Sequence, residues 1–293
     1  MKHLAKQLSS TLNQGRLLAK KSPIAIFDSG VGGLTVARQL HRMLPGEKLI
    51  YFGDTARVPY GTKSPEIIKQ YAIQIAQFLS GFDPKIIVIA CHSVSSIGKA
   101  FLKRRFPGYV FFDVIEPSIE DALKFTRNKR IGVIGTPATI SSGRYVSMIK
   151  SADVSVRTYQ KACPLLVPFV EEGWLEGDVV EAVIKRYIEG LLSKDIDTLI
   201  LGCTHYPLLK KSIRKVVGNS VNLIDASYAT GRKIVRFLRE NNLCNSPEKK
   251  VPLLYFSDLP VHKRRTMFFF WKNRNLVIRK ACLKEKQICL NSL

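Results

Sequence analysis

The chain has 293 residues, of which 46% are hydrophobic and 24% charged, and its formal net charge is +23. This composition is too apolar for a disordered chain, and the length suggests about two domains, each able to bury a core of its own. The charge is uneven, because residues 1–22 and 245–293 together contribute +13 of it. No apolar run reaches the roughly 18 residues that cross a bilayer, and the N-terminal residues lack the apolar stretch of a secretion signal. The six cysteines show no C-x-x-C spacing, so we expect reduced thiols in a cytoplasmic protein.

Short apolar runs rich in Ile and Val recur along the chain, and each precedes a segment with helical spacing. In chain order, the predicted strand and helix pairs are 23–27 with 33–44, 49–52 with 64–80, 85–90 with 95–105, 130–135 with 140–150, and 198–202 with 208–217, before a last strand over 255–258. Nearly continuous apolar strands are buried on both faces, which is typical of parallel sheets. The alternation excludes an all-β sandwich and a helical bundle, and it predicts the α/β fold class.

Two of these units resemble each other around a cysteine. Residues 87–93 read IVIACHS and residues 199–205 read LILGCTH, so Cys91 and Cys203 each follow an apolar strand and precede polar residues. They lie 112 positions apart, close to one domain length. Ligands of open parallel sheets bind at the carboxyl ends of the strands, where both thiols fall. We therefore expect two half-molecules that place the thiols on opposite sides of one cleft; two buried structural cysteines are the alternative.

Three further turns carry groups that could hold a ligand. Residues 28–33 (DSGVGG) follow a strand and open a helix, where backbone amides attract anions, although the glycines do not fit the dinucleotide fingerprint. Residues 135–139 (GTPAT) place two hydroxyls at a helix start, where they cap the helix or hold a carboxylate. Residues 59–61 (PYG) form a tight turn.

The two cysteines admit more than one chemistry. With His92 and His205 they supply the elements of a zinc site, but the spacing is not that of zinc ligands, and we expect no metal. A Cys–His nucleophile uses one cysteine and leaves the other without a role. Two thiols across a cleft suit racemisation, in which one group removes a proton from a carbon and the other delivers one to its opposite face. One cysteine must then be a thiolate, and a helix N-terminus or a nearby imidazolium lowers the pKa of a thiol enough for that.

Six stretches are specific enough to carry a family resemblance. They are 27–36 (FDSGVGGLTV), 51–63 (YFGDTARVPYGTK), 90–93 (ACHS), 132–140 (GVIGTPATI), 163–172 (CPLLVPFVEE) and 201–209 (LGCTHYPLL). With these stretches in this order, the sequence resembles the cofactor-independent glutamate racemases of the aspartate/glutamate racemase superfamily. The resemblance implies two similar parallel-sheet α/β domains, related by pseudo-twofold symmetry, with the active site in the cleft between them.

The same resemblance implies an activity and its partners. The activity is interconversion of L- and D-glutamate by acid/base proton transfer between two cysteines, with no cofactor and no metal. The small-molecule substrate is glutamate, and the D-glutamate formed would supply peptidoglycan biosynthesis. The resemblance also implies a cytoplasmic homodimer that needs no membrane.

Roles in the site are carried over position by position from the resemblance. The implied catalytic residues are Cys91, Cys203, Asp28, His205 and Glu171. The residues implied to surround the substrate are Asp28, Ser29, Tyr60, Gly61, His92, Ser93, Thr136, Thr139, Thr204 and His205. In related aspartate racemases a Glu typically follows the second Cys-Thr pair, so His205 favours glutamate as the substrate.

The resemblance also implies how the domains divide the chain, because chains of this family cross to the second domain and return. Residues 1–22 form a basic N-terminal extension. Residues 23–115 and 226–293 form the first α/β domain, which includes the basic C-terminal segment. Residues 116–225 form the second α/β domain.

One departure from the family pattern lies beside a candidate catalytic residue. The family has Asn-Thr after the first catalytic cysteine, and this chain has His92-Ser93. Ser keeps the hydroxyl, but a neutral imidazole offers one donor and one acceptor where the amide offers two donors and an acceptor oxygen. A protonated His92 would favour the thiolate at Cys91, so we expect altered kinetics or a shifted pH optimum with the chemistry retained.

Two alternative functions stay open at this point. The first is a related racemase that acts on another amino acid, such as aspartate. The second is a degenerate racemase fold with a binding role, in which the basic termini attract nucleic acid or another acidic partner. A solvated tail explains the basic termini equally well, and the intact Cys91/Cys203 pair argues against a binding relic.

Overall fold

A computed structural model describes residues 19–259, 270–271, 276–284 and 287–290. In chain order, the strands are β1 (Ile24–Asp28), β2 (Leu49–Gly53), β3 (Ile86–Ile89), β4 (Phe111–Asp113), β5 (Arg130–Gly135), β6 (Arg157–Ala162), β7 (Thr198–Gly202), β8 (Asn222–Asp225), β9 (Leu253–Phe256), β10 (Val277–Lys284) and β11 (Gln287–Leu290). The helices are α1 (Leu34–Met43), α2 (Pro65–Ser80), α3 (His92–Ile97), α4 (Lys99–Arg105), α5 (Ile115–Phe125), α6 (Pro137–Ser141), α7 (Arg144–Ala152), α8 (Leu166–Glu171), α9 (Asp178–Leu192), α10 (Lys210–Val217) and α11 (Ala226–Glu240).

The strands form two separate sheets. The larger sheet has the order β11-β10-β9-β2-β1-β3-β4, and the smaller one has the order β6-β5-β7-β8. All neighbours are parallel except β10 and β11, which pair antiparallel at one edge. The strands β1, β2, β3 and β7 are buried at every position, as expected for sheets covered by helices on both faces. The predicted α/β class is confirmed.

The two sheets draw on different parts of the chain. The smaller sheet uses residues between 130 and 225, whereas the larger one takes strands from before residue 114 and returns to the chain after residue 252. This division is compatible with a discontinuous first domain. The boundaries at 115/116 and 225/226 stay a prediction.

Two of the predicted helices are divided at a glycine, and a third begins two residues later than predicted. The helix predicted over 95–105 begins earlier and divides into α3 and α4 at Gly98. The helix predicted over 140–150 divides into α6 and α7 at Gly143, whose φ of 64° is left-handed. The helix predicted over 208–217 is α10, preceded by a 3₁₀ turn over Tyr206–Leu209.

Sequence patterns did not predict several elements. The edge strand β6 is polar and partly exposed, and β4 has three residues, so neither shows a buried apolar run. The late strands β10 and β11 were also not predicted, and the last predicted strand, over 255–258, is shifted to β9. Within the described ranges, we find no helix whose length and apolar character would let it cross a membrane.

Candidate active site

Both candidate cysteines lie at the carboxyl end of a central strand. Cys91 lies two residues after the end of β3 and is the N-cap residue of α3, and Cys203 directly follows β7. Each is about 95% buried, with exposures of 5% and 6%. They are close enough for charge on Cys203 to raise the pKa of Cys91. The structure therefore brings the predicted pair together from two different sheets.

The surroundings of Cys91 keep its sulfur protonated. Burial, followed by the charge of Asp28, raises the pKa of the Cys91 thiol to about 12, although hydrogen bonds from Ser29 and from the backbone of Val94 oppose the shift. The Ser29 hydroxyl lies 3.5 Å from Cys91 Sγ. We expected the helix start to favour a thiolate, and enclosure outweighs that effect here. Cys91 is therefore a thiol at neutral pH.

Asp28 is a buried carboxylate whose charge acts on Cys91. It ends β1 and is fully buried, and its Oδ2 accepts a hydrogen bond from the backbone N–H of Gly30 at 3.0 Å. Burial raises the pKa of Asp28, while the positive charge of His205 and nearby backbone amides lower it. Asp28 thus interacts electrostatically with groups on both sides of the candidate site.

Cys203 has a basic partner instead. His205 Nδ1 lies 3.8 Å from Cys203 Sγ, and Nε2 lies 3.4 Å from Oε1 of Glu171 at the end of α8. Burial alone would lower the pKa of His205, but hydrogen bonds to Cys203 and Glu171 and the charges of both raise it to about 10. His205 is therefore an imidazolium at neutral pH, and its charge stabilises negative charge on the adjacent sulfur. The two sulfurs therefore have unlike surroundings.

Glycines let the loops of the two sheets meet at this site. A Cβ at Gly32 would lie 2.5 Å from Cε1 of His205 and closer still to Oγ1 of Thr204. The hydroxyl of Thr35 donates to the backbone oxygen of Thr204 at 3.3 Å. A Cβ at Gly61 would likewise lie 2.7 Å from Cβ of Thr136. The turn over 28–33 therefore meets the motif that carries the second cysteine, and the turns over 59–61 and 135–139 meet each other.

Three hydroxyls from the two halves form one cluster. Ser93 Oγ lies 3.0 Å from Oγ1 of Thr136 and 3.5 Å from Oγ1 of Thr139, and the two threonine hydroxyls are 3.1 Å apart. Thr136 also caps α6, because its side chain accepts from the backbone N–H of Thr139. Hydroxyls that can each donate a hydrogen bond suit a carboxylate.

The side chain of Tyr60 is engaged with a carboxylate that lies outside the predicted set of site residues. The ring is buried, and its hydroxyl donates to Oδ2 of Asp54, while Ser257 donates to Oδ1 at 2.8 Å. Burial and the charge of Asp54 hold the pKa of Tyr60 well above its usual range. Sequence reasoning missed Asp54 and Ser257. A carboxylate just after the buried strand β2 was the available signal for Asp54, because Asp28 stands at the matching end of β1.

His92 is enclosed and neutral. It is 3% exposed, and within the described part of the chain neither ring nitrogen has a hydrogen-bond partner. Burial lowers the pKa of His92 to about 3. The expectation that a protonated His92 favours the thiolate at Cys91 is therefore wrong at neutral pH, since desolvation removes the charge. What remains is a neutral side chain with unused hydrogen-bonding capacity.

Two further expectations concern residues around the site. Among the residues that the structure describes, no group of three or more His, Cys, Asp or Glu side chains is arranged to hold a metal ion. The alternative of an acidic or nucleic-acid partner depends on the basic termini, many of whose residues (1–18, 260–269, 272–275, 285–286 and 291–293) lie outside the described residues.

Comparison with known proteins gives a consistent result. Residues 32–232 match the Asp/Glu/Hydantoin racemase family. The chain is 43% identical over 244 residues to the glutamate racemase of Chlorobaculum tepidum, covering 83% of this chain and 90% of that relative. It is similar to the structure of Francisella tularensis glutamate racemase in complex with D-glutamate, with a TM-score of 0.84, 37% identity and coverage of 90% of this chain and 98% of that one. Picrophilus torridus aspartate racemase, at 17% identity and a TM-score of 0.50, shares the fold alone.

Proposed function

Because the chain belongs to the Asp/Glu/Hydantoin racemase family, with glutamate racemases among its relatives at more than 40% identity, we propose that it interconverts L- and D-glutamate by passing a proton between Cys91 and Cys203. It is an amino-acid racemase. The proposed mechanism rests on one observation, which is that the two sulfurs have different neighbours. Cys91 is enclosed beside Asp28, and Cys203 lies beside the His205 imidazolium.

The proposed reaction has two balanced proton transfers. The Cys203 thiolate takes the Cα proton from the face of the substrate turned toward it, which leaves the electron pair on carbon, delocalised into the α-carboxylate. The Cys91 thiol then donates its proton to the opposite face of the same carbon. The configuration is inverted, and the sulfurs have exchanged states, so the opposite enantiomer reacts in the reverse direction.

The side chains around the sulfurs assist these transfers. His205, held between Cys203 and Glu171, supports the negative charge on Cys203 before the first transfer. Asp28 and Ser29 adjoin Cys91, and the Ser29 hydroxyl can donate to the sulfur once its proton is given up. The substrate is bound by the backbone of Tyr60 and Gly61 and by four hydroxyl groups that lie between the two halves. These hydroxyls belong to Ser93, Thr136, Thr139 and Thr204.

A substrate panel tests the assignment of glutamate. We expect kcat/KM for L-glutamate to exceed that for L-aspartate by about 10- to 200-fold, since the two differ by one methylene in a site of fixed size. The test measures racemisation of each amino acid by circular dichroism. Equal or faster turnover of aspartate would favour the related-racemase alternative, and no turnover of either by folded protein would favour a binding role.

Substitution of His92 by Asn should change binding without moving the pH profile. The neutral imidazole and the amide differ in donors and acceptors, so we expect KM for glutamate to change by about threefold or more. Because the pKa of His92 is about 3, log kcat/KM between about pH 6 and pH 9 should keep its shape. The measurement is the pH dependence of kcat and KM in both directions. A profile displaced by about one unit in the variant would mean that His92 titrates in this range and would refute its assignment as neutral.

The proposal extends to the cell. D-glutamate made by this enzyme would be consumed in peptidoglycan biosynthesis. A mechanism that needs two reduced thiols fits the cytoplasm, where thiols stay reduced. A homodimer remains a prediction.

A further inference from the structure

The candidate site receives a contact from the far C-terminal part of the chain. Phe270 and Trp271 follow the last residue of the family match, 232, by almost forty positions. Phe270 is fully buried and Trp271 nearly so. Both belong to the same apolar core as Leu34 of α1 and Val170 of α8. The C-terminal aromatic pair is therefore packed into the interior.

Each member of this pair contacts a different histidine. The Phe270 ring lies 5.4 Å from the imidazole of His205, at an interplanar angle of 83°. The Trp271 ring lies 5.7 Å from the imidazole of His41 on α1, at 34°. Edge-to-face geometry at this distance is a favourable aromatic arrangement.

The His205 ring is thereby restrained on several sides. Nδ1 faces Cys203, Nε2 faces Glu171, and Gly32 closes the region next to Cε1. Phe270 adds an apolar contact, which keeps water away from the imidazole. Exclusion of water strengthens the electrostatic interactions of His205 with its two partners, because the local dielectric constant is lower.

We propose that Phe270 is a positioning residue for His205, so that the C-terminal segment supplies part of the active centre. The proposal rests on the role proposed for His205. Phe270 has no acid/base group of its own; it fixes the orientation of the imidazole between Cys203 and Glu171. Its loss leaves every acid/base group present but allows the imidazole to tilt and to be hydrated.

The test compares Phe270→Leu and Phe270→Met with the matched control Trp271→Phe, which alters the adjacent aromatic residue and leaves the His205 contact in place. The protein is labelled with carbon-13 at the histidine rings, and the His205 signal is assigned with His205→Asn. In both Phe270 variants we expect the His205 ring signal to move and its titration to change, because the ring current and the apolar cover are lost. In Trp271→Phe the His205 signal should stay in place while the His41 signal moves.

Kinetics supply the second readout. Because enantiomers have equal free energies, kcat/KM falls equally in both directions, and we expect a decrease of about tenfold in the Phe270 variants. Proton transfer at the Cys203 side becomes slower, so the primary isotope effect measured with 2-deuterio-glutamate should rise more for one enantiomer than for the other.

Three results would overturn the proposal. Wild-type His205 signals and isotope effects in both Phe270 variants would show that the contact does nothing. If Trp271→Phe changes the His205 signal and the isotope effects as much as the Phe270 variants do, the effect comes from general packing of the Phe270–Trp271 pair and not from the contact between Phe270 and His205. If His205→Asn racemises glutamate at the wild-type rate, the proposed role of His205 is refuted, and the positioning role of Phe270 is refuted with it. A wild-type His205 signal in Phe270→Leu refutes the positioning role of Phe270 alone.

Discussion

Substitution of either Cys91 or Cys203 by Ala is expected to lower kcat/KM for racemisation by about 10⁴-fold, the upper range for loss of an acid/base group. In each direction one sulfur removes the proton and the other supplies one, so neither variant can complete a turnover. Both cysteines are almost fully buried, and removal of one sulfur leaves a small cavity, so stability should fall by only about 1–2 kcal/mol. The measurement is the change in circular dichroism with each enantiomer as substrate.

Cys244→Ala is the matched control for this pair. Cys244 is also a free cysteine, half-buried and outside the candidate site. It should retain the wild-type rate. A Cys91 or Cys203 variant that folds, checked by urea denaturation, and still racemises glutamate within tenfold of the wild type would contradict the two-thiol mechanism.

Gly32→Ala is expected to lower kcat/KM for racemisation by about 100-fold, although it removes no functional group. The added methyl would lie 2.5 Å from Cε1 and Nδ1 of His205 and even closer to Thr204, all of them buried atoms that have to shift. His205 would move away from Cys203, and stability should fall by about 1–3 kcal/mol from overpacking. The measurements are steady-state kinetics and urea denaturation of the same preparation.

Gly190→Ala serves as the control. It lies within α9, and a Cβ there would meet nothing within 4 Å. We expect an unchanged rate and a stability equal to or about 1 kcal/mol above that of the wild type, because Ala is a better helix former than Gly. A Gly32→Ala enzyme with normal kinetics would mean that the contact between the loop after β1 and the Thr204-His205 motif does not support catalysis.

The sequence predicted the positions of the sulfurs well, because the signal is local. An apolar strand followed by a small residue, a cysteine and polar residues occurs twice, and parallel sheets place ligands at that end of the strand. The structure puts Cys91 after β3 and Cys203 after β7, as this pattern indicates. The hydroxyls of Ser93 and Thr136 could be predicted in the same way, because both residues follow the carboxyl end of an apolar strand.

Properties that depend on enclosure could not be predicted from local patterns. The pKa of Cys91 is raised and that of His92 lowered chiefly by burial, which depends on residues distant in the chain. Of the two protonation states that the sequence left open for His92, burial therefore selects the neutral one. The contact of Phe270 with His205 likewise has no sequence signature. A run of aromatic residues near the C-terminus is typical of a core segment or of a tail, and it does not indicate which residue it will contact.

The most direct test of the central claim is the exchange of the Cα proton of L- and D-glutamate in heavy water, followed by NMR together with circular dichroism. With the wild-type protein, we predict that deuterium enters at Cα as the configuration inverts, from either enantiomer, and that both processes stop in Cys91→Ala and in Cys203→Ala. Inversion without uptake of deuterium, or no exchange with either enantiomer in protein shown to be folded, would contradict proton transfer between two thiols.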